Sequence, residues 1–168
     1  MTATLSMKKS NMAFMPLQNI SSSFSRCERN RLAYMIFKEN TWRKSESDVA
    51  KSLDRAHQMI SSPLSYNNEQ SMQSAIRLAY IYADSFYTII SECPAGDGYA
   101  DLAFIPYKPN VPAMIIELKI KGTAKSALEQ IKDKRYHAGF EKWQGNTLLV
   151  GICYDKKTKK HECKIETA

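Results

Sequence analysis

The stretch "PAMIIELK", residues 112–119, ends an apolar run in a carboxylate and an ammonium. Side chains alternate faces along a strand, so Glu117 and Lys119 share a face about 6–7 Å apart, and Leu118 takes the other. A second acid, Asp101, opens "DLAFIP" in the run before it. If the two runs fold into a hairpin about "KPNVP", Pro106 and Pro112 pair roughly, and counting outward brings Asp101 beside Glu117. Two carboxylates held together repel unless a proton or a cation lies between them. Mg²⁺ suits such a pair, because it takes one or two carboxylates plus waters and phosphate oxygens. An ion held there would polarise a phosphodiester and acidify a bound water. Lys119 could orient that water or stabilise charge on the phosphorus. The plainer alternative is an ion pair at a strand end, worth less than about 1 kcal/mol.

The elements that must position these groups follow from periodicity. "CERNRLAYMIFKEN" has near-helical apolar spacing. "SESDVAKSLDRAHQMI" predicts a helix capped by Ser45 or Ser47, with Val49, Leu53, Ala56 and Ile60 as its stripe. "NEQSMQSAIRLAYIYADSF" predicts a third, capped by Asn67 or Asn68, with Met72, Ala75, Ile76, Ala79, Tyr80 and Ala83 on one face. "YTIISEC" switches to strand character, "PAGDG" is turn chemistry, and "YADLAFIPY" and "AMIIELKI" are the next two strands. "KGTAKSALEQIKDKRYHAGFEKW" predicts one long helix, capped by Thr123, with Ala127, Ile131, Tyr136 and Phe140 near one side. "TLLVGICY" is apolar throughout and should be buried on both faces; "DKKTKK" is a charged turn, and "HECKIET" a last alternating strand. The sum is one α/β domain with a mixed sheet and a helical N-terminal extension.

The chain has 168 residues, with 43% apolar and 24% charged residues, ordinary values for a globular domain. No apolar run reaches bilayer length, and the N-terminus has no sustained apolar segment after its basic residues, so no membrane span and no secretory signal is expected. Cys27, Cys93, Cys153 and Cys163 form no C-x-x-C pair, and His57, His137 and His161 are scattered, so zinc spacing is absent. Reduced thiols and a cytoplasmic location are expected. The formal net charge of +7 favours polyanions without identifying one.

"GDGYADLAFIP", "PAMIIELK" and "ALEQIKDKRY" together resemble the PD-(D/E)XK nuclease superfamily. More narrowly, the chain resembles the nuclease-like domain C-terminal to AAA-ATPase-like modules in bacterial proteins. The resemblance covers roughly residues 45–168. It implies a restriction-endonuclease-like αβββαβ core with a mixed central sheet flanked by helices. The expected organisation is an arm at 1–28, a helical extension at 29–64, and a nuclease-like domain at 65–168. The implied function is Mg²⁺-dependent phosphodiester hydrolysis, with Mn²⁺ as substitute. Asp101 and Glu117 would hold the metal, joined by the Leu118 carbonyl, and Lys119 would assist the water. Glu69 would support the site from the preceding helix; a first-turn Glu favoured by the helix dipole is the other reading. Gln130 and Tyr136 resemble a Gln/Tyr motif of exonuclease-type members, with Tyr136 equally a core aromatic. Ala100 stands where the motif names proline, and no GxxxxGK[ST] loop is present. The implied partner is nucleic acid, DNA before RNA, with a separate ATPase partner and a homodimer both open. Lys121, Lys125, Lys132, Lys134 and Arg135, with Tyr136, could contact nucleic acid, Lys125 and Lys132 tracking a phosphate backbone from two turns apart, or the lysines could simply form a solvated face. Trp42 and Trp143 could stack bases or pack. The rival function is a catalytically silent module of the same fold that binds nucleic acid or a protein.

Overall fold

The computed structural model describes residues 38–60 and 68–168. The expected arm at 1–28, nearly all of the first expected helix, Asn67 and Cys27 lie outside the described residues, as does the Ile60 side chain. The chain forms α1 (Glu46–Ile60), α2 (Glu69–Ala79) and a 3₁₀ segment (Ile81–Ser85). There follow β1 (Tyr87–Ala95), β2 (Gly98–Pro106), β3 (Ala113–Lys119), α3 (Ala124–Asp133) and a second 3₁₀ segment (Tyr136–Trp143). β4 (Thr147–Asp155) and β5 (Lys160–Thr167) complete it. The five strands lie in sequence order, with β3 and β4 parallel and every other pair antiparallel. The mixed α/β architecture expected from the sequence is present.

Each face of the sheet has its own core, because the apolar stripes of the helices fall on opposite sides. Val49 and Leu53 of α1 and Met72 and Ile76 of α2 pack with Leu102, Phe104, Met114, Ile116 and Val150. Leu128 and Ile131 of α3, with Tyr136 and Phe140, pack with Ala103, Ala113, Ile115 and Leu149. β4 is buried at every position but Asp155, as its unbroken apolar run requires. α3 crosses directly over Gly151, where a Cβ would lie 2.2 Å from the Ala124 carbonyl oxygen. Thr123 caps α3 through a capping box with Ser126, and Asn68 Oδ1 caps α2 by accepting the Ser71 N–H at 2.9 Å.

Three sequence expectations are corrected. The "PAGDG" turn is shorter, since β1 runs to Ala95 and only Gly96 and Asp97 turn. The helix expected through "YADSF" stops at Ala79 and tightens into the 3₁₀ segment. The long helix expected through Trp143 breaks after Asp133, where Arg135 adopts φ +50. The tip of the β1–β2 hairpin docks there: the Asp97 N–H donates to the Lys134 carbonyl at 2.8 Å, and Arg135 grips the Asp97 carboxylate with two nitrogens. A continued helix would consume that carbonyl internally.

β5 is a sheet edge, and α1 covers it with acids. Glu46 Oε1 accepts the Ile165 N–H at 3.0 Å, and Asp54 Oδ1 accepts the His161 N–H at 2.9 Å. Satisfying these N–H groups removes a template for unwanted strand pairing.

Candidate active site

β2 and β3 pair through Phe104–Met114, Ala103–Ile115 and Leu102–Ile116, the register that the Pro106–Pro112 count suggested. One step further, Asp101 lies across from Glu117. The strand ladder ends there, and the Asp101 side chain continues it: Oδ2 accepts the Leu118 N–H at 2.7 Å. The fork between β2 and β3 thus holds a carboxylate in a fixed orientation.

Glu117 is only 3% exposed. Its Oε1 accepts from Lys119 Nζ at 3.2 Å and from Gln130 Nε2, which reaches down from α3. Its Oε2 is buried with no hydrogen-bond partner. An orphaned ionised oxygen is costly, and burial does push the Glu117 carboxyl up, with repulsion from Asp101 adding and Lys119 opposing, to about 7. Asp101 is also raised, first by burial; the Leu118 N–H and Lys119 oppose the rise, and Glu92 and Glu69 reinforce it. Gln130 Nε2 lies 3.4 Å from the hydroxyl of Tyr136, which is buried in the second core cluster.

α2 meets the same strand ends with its N-terminus. Glu69, its first residue, is exposed, and its Oε1 accepts the Ile120 N–H at 3.3 Å, just past Lys119. One turn later Gln73 Nε2 donates to the Asp101 carbonyl at 2.8 Å and to Glu92 Oε1 at 3.0 Å. Glu92 sits on β1 level with Asp101, between the Ser91–Leu102 and Cys93–Ala100 pairs, and has φ +50. Beyond this level the hairpin changes sides: Tyr87, Leu102 and Phe104 belong to the first core cluster, but Cys93, Ala95 and Ala100 to the second. Asn68, Glu69, Gln70, Gln73, Glu92 and Asp101 line a cleft of about 290 Å³.

Sequence reasoning singled out neither Gln73 nor Glu92. Both had a signal. Gln73 is four residues after Glu69, hence on the same helix face. Counting outward from the Gly96–Asp97 turn sets Glu92 opposite Asp101.

The expected basic track separates into parts. Lys125 faces Glu129 at 3.7 Å, and Arg135 faces Asp97 at 2.9 Å. Lys132 faces Glu166 at 2.6 Å. Glu166 pairs with Leu149 on β4, whereas Lys119 pairs with Cys153, so Lys132 lies toward the other end of the sheet. Lys121 is exposed in the loop between β3 and α3. Trp42 is packed, its Nε1 donating to the Tyr87 hydroxyl at 2.7 Å, and Trp143 packs beside Phe140.

Among the described residues, no three His, Cys, Asp or Glu side chains converge as a ready-made metal cage. Mg²⁺ does not require one, since it keeps several waters and takes one or two carboxylates. A buried, unpartnered Glu117 oxygen beside the Asp101 carboxylate fits that requirement. No helix among the described residues is long and apolar enough to cross a membrane. The family model of the PD-(D/E)XK nuclease superfamily matches residues 67–164. No curated protein and no solved structure matches the chain.

Proposed function

The chain belongs to the PD-(D/E)XK nuclease superfamily, and we propose that it is a divalent-metal-dependent phosphodiester hydrolase acting on DNA. Asp101, Glu117 and the Leu118 carbonyl would hold Mg²⁺ or Mn²⁺. Bound there, the ion supplies Lewis-acid polarisation of the phosphate and an acidified water. The chain's own groups do the rest. The Leu118 N–H fixes the Asp101 carboxylate at the strand fork. Gln130 and Lys119 both engage Glu117 Oε1, so Oε2 is the oxygen that would be left for the ion. Lys119, in contact with that carboxylate, can donate to the attacking water or to a non-bridging phosphate oxygen. Glu69 and Gln73 tie α2 to the ends of β3 and β2, so the two acids keep their spacing.

The observation that carries this reading is the orphaned, buried Oε2 of Glu117, a residue across from Asp101, with an ammonium on its sister oxygen. A surface ion pair has no reason to bury an unsatisfied carboxylate oxygen. The test is cleavage of labelled single- and double-stranded DNA with Mg²⁺, with Mn²⁺ and with chelator, using wild type, Asp101→Ala and Lys119→Ala. The reading expects metal-dependent cutting that either substitution reduces by about 10²-fold or more. DNA binding with no cutting under any metal would instead favour the silent binding module.

A further inference from the structure

The β4–β5 connection stands at the same end of the sheet as the site. β3 and β4 are parallel, and Lys119 pairs with Cys153. Asp155 is two residues beyond Cys153, so the turn begins about 7 Å past the level of Lys119. Along a duplex axis that is a rise of about two base pairs.

The turn is built so that its one acid faces inward. Asp155 Oδ1 accepts the Lys157 N–H at 2.7 Å, and Oδ2 accepts the Thr158 hydroxyl at 2.9 Å. These bonds hold the Asp155 carboxyl below its ordinary range, so it stays ionised and occupied by its own turn. Lys159 takes φ +54, which closes the loop onto the Asp155–Lys160 pair. Residues 155–160 are all exposed. Lys160 is bound to Asp54 at 3.3 Å. Lys157 and Lys159 form no salt bridge among the described residues, unlike Lys125, Lys132 and Arg135, although Lys157 lies near enough to Asp155 to help hold its carboxyl down. Lys157 and Lys159 thus bring exposed positive charge to the end of the sheet that holds the site, where Lys121 is also exposed.

We propose that the turn Asp155–Lys160 is a phosphate-binding rim, in which Lys157 and Lys159 seat the backbone of a nucleic acid beside the Asp101–Glu117 site. The proposal rests on the nuclease reading for its partner but not on catalysis. Ammonium groups on a preorganised turn are point charges suited to phosphates and indifferent to base sequence.

The test is fluorescence anisotropy of a labelled DNA duplex and a labelled single strand between 50 and 200 mM salt (roughly the range over which phosphate contacts are felt), in chelator, so that no cutting occurs. Lys157→Ala/Lys159→Ala should weaken binding about fivefold or more, and should lower the slope of log K against log salt by about 2. Lys132→Ala, at the far end of the sheet, should change affinity less than about twofold. Equal affinity of wild type and the double variant overturns the rim. So does binding to anionic phospholipid vesicles without binding to either DNA. Turn-dependent binding with no cleavage in Mg²⁺ or Mn²⁺ sinks the hydrolase reading alone and leaves the rim standing.

Discussion

Glu117 makes one contribution to the pH dependence of the metal-free protein, which the raised Asp101 reinforces and the lowered His161 opposes. The folded pKa of Glu117, about 7, lies above the ordinary carboxylate value of 4.5. The folded state therefore holds a proton that the unfolded state has released, and stability falls as pH rises from about 4.5 to 7. The loss is of order 1–3 kcal/mol. Thermal unfolding in chelator across that range should show the Tm of wild type falling relative to that of Glu117→Gln as pH rises. A Tm difference between wild type and Glu117→Gln that stays constant over the same interval contradicts the burial argument. With a divalent ion present the decline should shrink, because the ion replaces the proton. At this scale the sequence was readable where alternation and a hairpin count sufficed, as for Asp101, Glu117 and Lys119. It was less readable for Gln73, whose bond to the Asp101 carbonyl depends on how α2 lies across the strand ends. Gln73→Ala should lower turnover about tenfold through a misplaced Asp101 and leave DNA affinity in chelator within about twofold. A parallel fall in affinity would mean that Gln73 touches substrate.

At the scale of elements, two close approaches hold the site together. α3, which carries Gln130, seats on β4 through Gly151, where any side chain collides with the helix backbone. Gly151→Ala should cost about 2–4 kcal/mol, read as a lower urea midpoint. A near-neutral result would mean that α3 can lift without penalty. Gly96 has φ +50, and a Cβ there would lie 2.3 Å from the Lys134 and Arg135 carbonyl oxygens. That contact explains the broken helix. The periodicity of Ala127, Ile131, Tyr136 and Phe140 is right about burial, since all four are in the core. It does not report the break, because the cause is a hairpin tip from 38 residues earlier in the chain. Helix ends set by local chemistry, Asn68 and Thr123, were visible; an end set by a tertiary contact was not.

For the whole molecule, one sheet edge is managed by α1. Its polar contacts with β5 come from Glu46 and Asp54, each accepting a backbone N–H and also pairing a lysine. Glu46→Ala/Asp54→Ala leaves those N–H groups without their carboxylates, and should lower stability by about 2–4 kcal/mol. Urea denaturation with size-exclusion chromatography should show a lower midpoint and, through the uncovered edge, a greater share of oligomer. An unchanged midpoint would mean that the apolar contacts of Val49 and Leu53 alone hold α1. The apolar stripe of α1 was evident in the sequence, but the role of its acids was not. Their partners are more than 100 residues away.

The most direct measurement is anomalous diffraction from crystals of the protein soaked in Mn²⁺. The account predicts one peak between the Asp101 carboxylate and Glu117 Oε2, lost in Asp101→Ala. Glu117 Oε2 sealed by a protein donor, with no ion density beside Asp101, would contradict it.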